Sequence, residues 1–240
     1  MRRHLILFAR DPGREARAKG FGARGEELFA TFAAGWRQAA REVGAQVVIA
    51  APPEDLPAWR ARLGSNARDV LWISQSGPTL GQRVQGVVRL ASDLPGRAVV
   101  VGGDVAPDAG VLRQAFDALD GGADAILAPA DDGGVSLLAI PAADLDLLET
   151  LAPRQRGVAE RLRRHLSARG RVVEVVAAAS DVDGRRSLRC LSRDRRLASV
   201  LRSLALQILA VRLSPLTAVP AARWRALNGP LGLRAPPSAA

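Results

Sequence analysis

Short apolar runs alternate along the chain with stretches in which apolar residues recur every three or four positions. The runs are typical of strands buried on both faces, and the stretches are typical of helices that pack one face on a core. The runs predict strands at residues 5–9, 46–51, 69–74, 98–101, 123–128, 135–140 and 171–176. The periodic stretches predict helices at residues 26–43, 56–63, 79–91, 109–119, 144–151 and 158–168.

This alternation predicts an α/β protein, a three-layer α/β/α sandwich with a mostly parallel sheet. In such folds ligands bind outside the carboxyl ends of the strands. The pattern therefore directs attention to four loops, which follow residues 9, 101, 128 and 179.

The end of the chain has a different character. Residues 185–213 are rich in arginine and leucine and predict a helical appendage, formed by one long helix, on a domain of residues 1–184. Residues 214–240 are rich in proline and predict an irregular, partly disordered tail. The appendage either docks on the domain or across a homodimer, or presents a basic amphipathic face to a partner protein or a membrane surface.

The overall composition is ordinary, but the net charge differs between the two parts of the chain. Hydrophobic residues make up 48% and charged residues 24%, which is ordinary for a globular protein. The net charge of +10 arises in residues 151–240, with 18 basic against 5 acidic residues, whereas residues 1–150 have 16 against 19. Lys19 is the only lysine among 34 basic residues. So complete a preference for arginine indicates a GC-rich genome, and nucleic acid is not expected as a partner.

Location and redox state are constrained only weakly. The apolar run at residues 5–9 is too short for a signal peptide, and no stretch reaches the roughly 18 apolar residues of a membrane span. Cys190 is the single cysteine, so the chain has no internal disulfide. These features predict a cytoplasmic protein. His4, His165 and Cys190 are expected to be structural or solvated rather than catalytic.

Three acidic loops follow predicted strands. Asp104 follows Gly102 and Gly103, Asp131 and Asp132 precede Gly133 and Gly134, and Asp183 closes an Asp-Val-Asp sequence. Glycines allow a ligand to approach the backbone closely, and carboxylates are the ligands that Mg²⁺ and Mn²⁺ prefer. Each loop alone is also typical of a solvated turn.

Asp108 has two interpretations. It lies four residues after Asp104 and could assist a metal site, or it could cap the helix that begins near residue 109.

Six motifs in order carry a resemblance over about residues 4–190. They are Phe8-Ala9-Arg10-Asp11-Pro12, Leu80-Gly81-Gln82-Arg83, Gly102-Gly103-Asp104, Ala115-Phe116-Asp117-Ala118-Leu119, Pro129-Ala130-Asp131-Asp132-Gly133-Gly134 and Asp181-Val182-Asp183. Their order resembles bacterial GT-A-like glycosyltransferases of the arsenosugar-biosynthesis type. These are related to the guanylyltransferases that act on molybdenum cofactor and on phospholactate.

The resemblance implies a GT-A fold and a glycosyl transfer from a nucleotide-diphosphate sugar to a small acceptor. It implies that Asp104 and Asp183 hold Mg²⁺ or Mn²⁺, and that Asp131 or Asp132 acts as base or orients the acceptor beside Gly133 and Gly134. The nucleotide and phosphate contacts that it implies are Arg10, Lys19, Gly20, Arg83, Gly102 and Gly103.

The first loop departs from the family pattern. The family's basic loop would place a glycine at residue 15 and a lysine at residue 18, where this chain has Glu15 and Ala18, with Lys19 one place off. Three functions therefore stay open: a glycosyltransferase, a nucleotidyltransferase of the guanylyltransferase type, and a catalytically silent GT-A-like binding or scaffold subunit.

Overall fold

The computed structural model describes residues 1–131, 133–150, 157–195 and 197–210, with side chains at 65–67 and 150 left undescribed. Its strands are β1 (Arg3–Phe8), β2 (Ala45–Ala51), β3 (Val70–Ser74), β4 (Arg97–Gly102), β5 (Ala125–Pro129), β6 (Val135–Ala139) and β7 (Val173–Val175). Its α-helices are α1 (Pro12–Lys19), α2 (Gly22–Glu42), α3 (Leu56–Leu63), α4 (Leu80–Ser92), α5 (Ala109–Asp120), α6 (Val158–Ala168), α7 (Arg185–Arg193) and α8 (Ser199–Ala210).

The strands form one sheet in the order β3-β2-β1-β4-β6-β5-β7. All neighbours pair in parallel except β6, which runs antiparallel between β4 and β5. The register places Phe8 opposite Gly102, so β1 and β4 end side by side at one edge. The predicted α/β architecture with a mostly parallel sheet is confirmed.

Helices cover both faces of the sheet because the central strands are apolar on both sides. Along β1, Leu5 and Leu7 belong to one core cluster and Ile6 belongs to the other, as the two-residue period of a strand requires. The first core also contains Trp36 from α2 and Phe116 from α5. The second core is closed by α4, α6 and the 3₁₀ segment Ala142–Thr150.

The C-terminal segment differs from the predicted long helix. It forms two helices, α7 and α8, and the chain from Asp194 to Ala198 that is described between them is not helical. Their buried apolar residues, including Leu191 and Leu204, form a third core with Phe29 and Phe32 of α2. These side chains pack within the chain itself. Residues 211–213 and the proline-rich tail of residues 214–240 lie outside the described residues.

Two further elements differ from the prediction. Residues 12–19, which the motif comparison treats as a loop, form helix α1. The predicted helix at residues 144–151 is instead 3₁₀ over Ala142–Thr150, with a kink at Asp144. The side chain of Asp144 is buried and paired with Arg169 and Arg171, and this pairing joins the segment to the chain just before β7.

Candidate functional site

Helix α1 follows directly from β1 because its sequence supplies signals at both ends. The Asp11 side chain accepts hydrogen bonds from the backbone of Gly13 and Arg14 at 3.0 and 3.2 Å, which caps the helix. Pro12 occupies the first helical position, and Gly20 ends the helix with φ of 70°. Lys19 consequently lies in the last turn, at the carboxyl edge of the sheet.

The Lys19 ammonium joins the first and third acidic loops. Its Nζ lies 2.6 Å from Oδ2 of Asp104 and 2.7 Å from Oδ1 of Asp183. It also donates to the backbone carbonyl of Val182 at 2.7 Å and lies 3.3 Å from a carboxylate oxygen of Glu15, one helical turn earlier. Lys19, Asp104 and Asp183, named separately from the sequence, therefore form one cluster.

Asp104 and Asp183 meet because the chain near residue 181 pairs with the loop after β4. Val105 and Asp181 form an antiparallel bridge, and the Val182 backbone N–H donates to the Asp104 carbonyl at 2.9 Å. The buried indole of Trp36 donates to the Val105 carbonyl at 2.9 Å, which ties the loop to α2. The backbone around both aspartates is therefore fixed on two sides.

Burial and charge act in opposite directions on Lys19. Burial alone would lower the pKa of the ammonium, but attraction to Asp104 and hydrogen bonds to Asp104 and Asp183 outweigh it and raise the pKa above its ordinary value. Only 10% of the Lys19 side chain is exposed, whereas 30% of Asp104 and 48% of Asp183 are exposed. The cation is enclosed, and its carboxylate partners still face solvent.

The donor set of this cluster matches the chemistry of a divalent metal. Two carboxylates converge on one point, and Mg²⁺ often takes one or two carboxylates and completes its shell with water and phosphate oxygens. Within the described residues, no group of three or more His, Cys, Asp or Glu side chains is arranged around a metal position. Asp104 and Asp183 supply two of the oxygen ligands that such an ion takes, and Lys19 Nζ lies at the point where they converge.

A cleft of about 580 Å³ opens beside the cluster at the ends of β1 and β4. A second hollow of about 350 Å³ shares four lining residues with it: Arg10, Ala18, Gln75 and Arg83. Arg14 also lines the second hollow and is paired with Glu54 and Asp55 at 2.8 Å. Three arginines line the second hollow together with Glu54, and the carboxylates of Asp104 and Asp183 line the cleft.

Most of the predicted site residues lie in this region. The following line the cleft: Arg10, Lys19, Arg83, Gly102, Gly103, Asp104, Gly134 and Asp183. Gly20 ends α1, and Gly133 forms the turn after β5 with φ of 86°. Asp131 is an exposed residue of that turn and is not among the lining residues. Asp132 lies outside the described residues.

Two glycines of the sequence motifs have a structural role. A Cβ atom on Gly103 would lie 2.3 Å from Cβ of Ala9, so only glycine allows the ends of β1 and β4 to approach this closely. A Cβ on Gly81, in the second motif, would lie 2.3 Å from the Leu148 carbonyl oxygen. At both positions the absence of a side chain allows neighbouring segments of the backbone to pack closely around the cleft.

Two side chains of the region were not predicted as site residues. Glu15 appeared only as a departure from the family loop, although its spacing of four residues from Lys19 would place both on one face of a helix. Gln75 follows β3, is only 4% exposed, and lines both hollows. No local signal marks Gln75, because its role depends on the parallel pairing of β2 and β3.

The remaining candidates have structural surroundings. Asp108 caps α5 through hydrogen bonds from the backbone of Gly110 and Val111 at 2.8 and 3.1 Å. A ring nitrogen of buried His4 lies 3.2 Å from the Pro95 carbonyl, and Cys190 is exposed.

None of the helices in the described part of the chain combines the length and apolar character that crossing a membrane requires.

Solved structures share this fold. A candidate nucleotide-diphospho-sugar transferase from Desulfovibrio desulfuricans G20 superimposes with a TM-score of 0.72 at 22% identity, over 86% of this chain and 95% of that one. A candidate glucose-1-phosphate thymidylyltransferase from Bacillus anthracis, in complex with a sucrose, gives 0.55 at 13% identity over 88% and 97%. The inositol-1-phosphate CTP transferase from T. maritima gives 0.52 at 13% identity over 88% and 97%.

These likenesses show that the fold is of the nucleotide-diphospho-sugar transferase type. No curated protein sequence matches the chain. The family described as "Uncharacterized protein conserved in bacteria (DUF2064)" matches residues 34–153, which is half of the 240 residues. The protein therefore belongs to the DUF2064 family.

Proposed function

We propose that the protein binds a nucleotide-diphosphate sugar in the carboxyl-edge cleft and transfers the sugar to a small acceptor. The observation that carries this proposal is that Arg10 and Arg83 line the same cleft as the carboxylates of Asp104 and Asp183. A diphosphate matches the two arginines, and a sugar with many hydroxyl groups matches carboxylate acceptors. The motif resemblance to GT-A-like glycosyltransferases supports the same reaction class.

Arg10 and Arg83 are the proposed phosphate contacts. The salt bridge of Arg10 to Glu15 is long, at 3.4 Å, so its guanidinium is weakly held. Arg83 has a buried Nε without a hydrogen-bond partner among the described residues, and an unpaired donor is costly. A guanidinium group binds phosphate oxygens through two parallel hydrogen bonds. A diphosphate would therefore supply hydrogen-bond acceptors to both arginines.

Gln75 is the proposed contact to the base. Its Nε2 donates to the Ala50 carbonyl at 2.7 Å, which fixes the orientation of the amide. The remaining side-chain oxygen, Oε1, is then an acceptor at the wall of the cleft. An acceptor held in one orientation selects a base edge that carries an N–H donor, and a base lacking one would leave this oxygen unpaired.

The acidic end supplies the remaining roles. Mg²⁺ or Mn²⁺ on Asp104 and Asp183 would neutralise the charge of the leaving diphosphate. The turn with Gly133 and Gly134 is the proposed acceptor loop, and Asp131 or Asp132 is the proposed base for the acceptor hydroxyl. Because Asp131 is exposed in this turn, the acceptor would have to bind between the turn and the cleft for the carboxylate to reach its hydroxyl.

Calorimetry with UDP-, GDP-, CDP- and dTDP-sugars, with and without Mg²⁺, tests the proposal. At least one nucleotide sugar should bind the wild type, and Arg83→Gln should weaken it about tenfold, because a charge-assisted hydrogen bond contributes about 1.5 kcal/mol or more. Arg89→Gln is the matched control, since Arg89 is exposed on the same helix and does not line the cleft.

The outcomes separate the candidate functions. Release of nucleoside diphosphate on adding acceptors supports glycosyl transfer, and release of pyrophosphate from a nucleoside triphosphate would favour nucleotidyl transfer instead. A folded protein that binds none of these ligands would refute the donor site and leave the silent scaffold.

A further inference from the structure

We propose that Lys19 is the built-in cation of this site. Its ammonium occupies the point on which Asp104 and Asp183 converge, so a divalent metal binds these carboxylates only after Lys19 has left them. This inference goes beyond the proposed function, because it concerns the protein and a metal ion alone. It holds whichever nucleotide, if any, enters the cleft.

The distances exclude joint occupancy of the point. Nζ of Lys19 lies 2.6 Å from Asp104 and 2.7 Å from Asp183, which leaves no space for a second ion between the same oxygens. Two cations in contact would also repel each other strongly in a partly enclosed site. The carboxylates therefore exchange one cation for the other.

Several contacts outside the carboxylate pair hold Lys19 in place. Its ammonium donates to the Val182 carbonyl at 2.7 Å, lies 3.3 Å from Glu15, and lies 5.7 Å from the centroid of the Phe29 ring. When a metal displaces Lys19, these interactions are lost together with those to the two aspartates. Their loss opposes metal binding, so we expect the free protein to bind metal more weakly than the two carboxylates alone would.

The shape of the cluster favours a lysine. An ammonium has three N–H donors around one atom, and three oxygens lie within 2.7 Å of Nζ, from Asp104, Val182 and Asp183. A guanidinium spreads its donors over a plane and cannot direct them to one point. The other 33 basic residues of the chain are arginine, so its single lysine lies where a compact cation is required.

Binding of Mn²⁺ to the free protein, followed by calorimetry and by the loss of the free-ion paramagnetic resonance signal, tests this exchange. Lys19→Gln should bind Mn²⁺ at least tenfold more tightly than the wild type, because the competing cation is gone. Lys19→Met, which keeps an unbranched apolar side chain beside Phe29, is measured in parallel should the glutamine variant not fold. Arg17→Gln, an exposed cation of the same helix, is the matched control and should match the wild type.

The gain in affinity must come from the two carboxylates. Adding Asp104→Asn to Lys19→Gln should abolish it. A folded Lys19→Gln variant that binds Mn²⁺ no more tightly than the wild type would overturn the proposal.

The wild type offers an independent measurement, since one lysine gives one set of lysine side-chain resonances. Mg²⁺ should shift the Lys19 side-chain resonance as it displaces the ammonium. Mg²⁺ that shifts the resonances of Asp104 and Asp183 and leaves the Lys19 resonance unchanged would also overturn it. Both measurements use metal alone, so their result does not depend on whether a nucleotide sugar binds.

Discussion

Two ion-pair clusters of this protein use the same chemistry in opposite arrangements. In the open cluster, Lys19 is 10% exposed, and its partners Asp104 and Asp183 are 30% and 48% exposed. The buried member is the cation, and solvent reaches the carboxylates. A ligand from solvent can therefore reach these carboxylates, and under our proposal a metal ion does so by taking the place of Lys19.

The closed cluster reverses this order. The Asp144 side chain is 2% exposed, and its partners Arg169 and Arg171 are 38% and 32% exposed. The carboxylate accepts at 3.1 and 2.7 Å and has no open side, and none of the three residues lines the cleft. This cluster joins the Ala142–Thr150 segment to the chain before β7. We infer that exposure of the carboxylate distinguishes the cluster that we propose as a ligand site from a cluster that only joins two segments of the chain, which we call the structural lock.

The largest effect on stability is expected in the closed cluster. Asp144→Ala should lower the free energy of unfolding by about 3 kcal/mol, because it removes two charge-assisted hydrogen bonds, from Arg169 and Arg171, that fix the Ala142–Thr150 segment. Urea denaturation followed by circular dichroism measures the loss. Asp146→Ala removes a 60% exposed partner of Arg169 and should leave the free energy of unfolding close to that of the wild type. Equal losses in the two variants would contradict the assignment of Asp144 as the lock.

A smaller effect is expected where the scaffold carries the open cluster. Gly103→Ala should cost about 2 kcal/mol, because the added methyl group collides with Ala9 and forces β1 and β4 apart. The same shift moves Asp104 away from Lys19, so the thermal melt and the Lys19 resonance should both change. Gly86→Ala, whose Cβ meets nothing nearer than 3.7 Å, is the matched control and should not destabilise the fold. A stable Gly103→Ala protein would show that the strand ends can separate freely.

The smallest effect on stability is expected at the open cluster itself. Asp104→Ala should cost only about 1 kcal/mol, because Lys19 keeps Asp183 and the Val182 carbonyl as partners. The same denaturation experiment measures it against Asp144→Ala. A loss as large as that of Asp144→Ala would indicate that the Lys19 cluster is mainly a structural lock, and the contrast between the clusters would fail.

The strands and long helices could be predicted because each is encoded locally. Buried strands read as apolar runs, and the helices Leu56–Leu63 and Val158–Ala168 begin and end where their apolar period does. Two predictions were wrong: an α-helix at residues 144–151 and one long helix over residues 185–213. Periodicity reports which side chains are buried, and it does not distinguish a 3₁₀ segment or a broken helix from a continuous α-helix.

Helix α1 shows how a motif can obscure a local signal. Asp11 and Pro12 at its start and Gly20 at its end are ordinary helix boundaries, and all three are visible in the sequence. The family pattern, by contrast, expects a loop with a glycine at residue 15 and a lysine at residue 18. Because residues 12–19 are helical, Lys19 points toward the acidic loops and contacts Asp104 and Asp183 although it lies one residue beyond the family position.

The sequence by itself determined the apolar strands, the loops at their carboxyl ends and the acidic residues in those loops, since these depend on neighbours along the chain. Only the tertiary structure decided that Lys19 contacts Asp104, 85 positions away, and Asp183, 164 positions away. That meeting depends on the pairing of residues 104–106 with residues 180–182 and on the docking of α1 beside them. Which member of the cluster is buried follows from that packing, because exposure belongs to the assembled surface and no single segment encodes it.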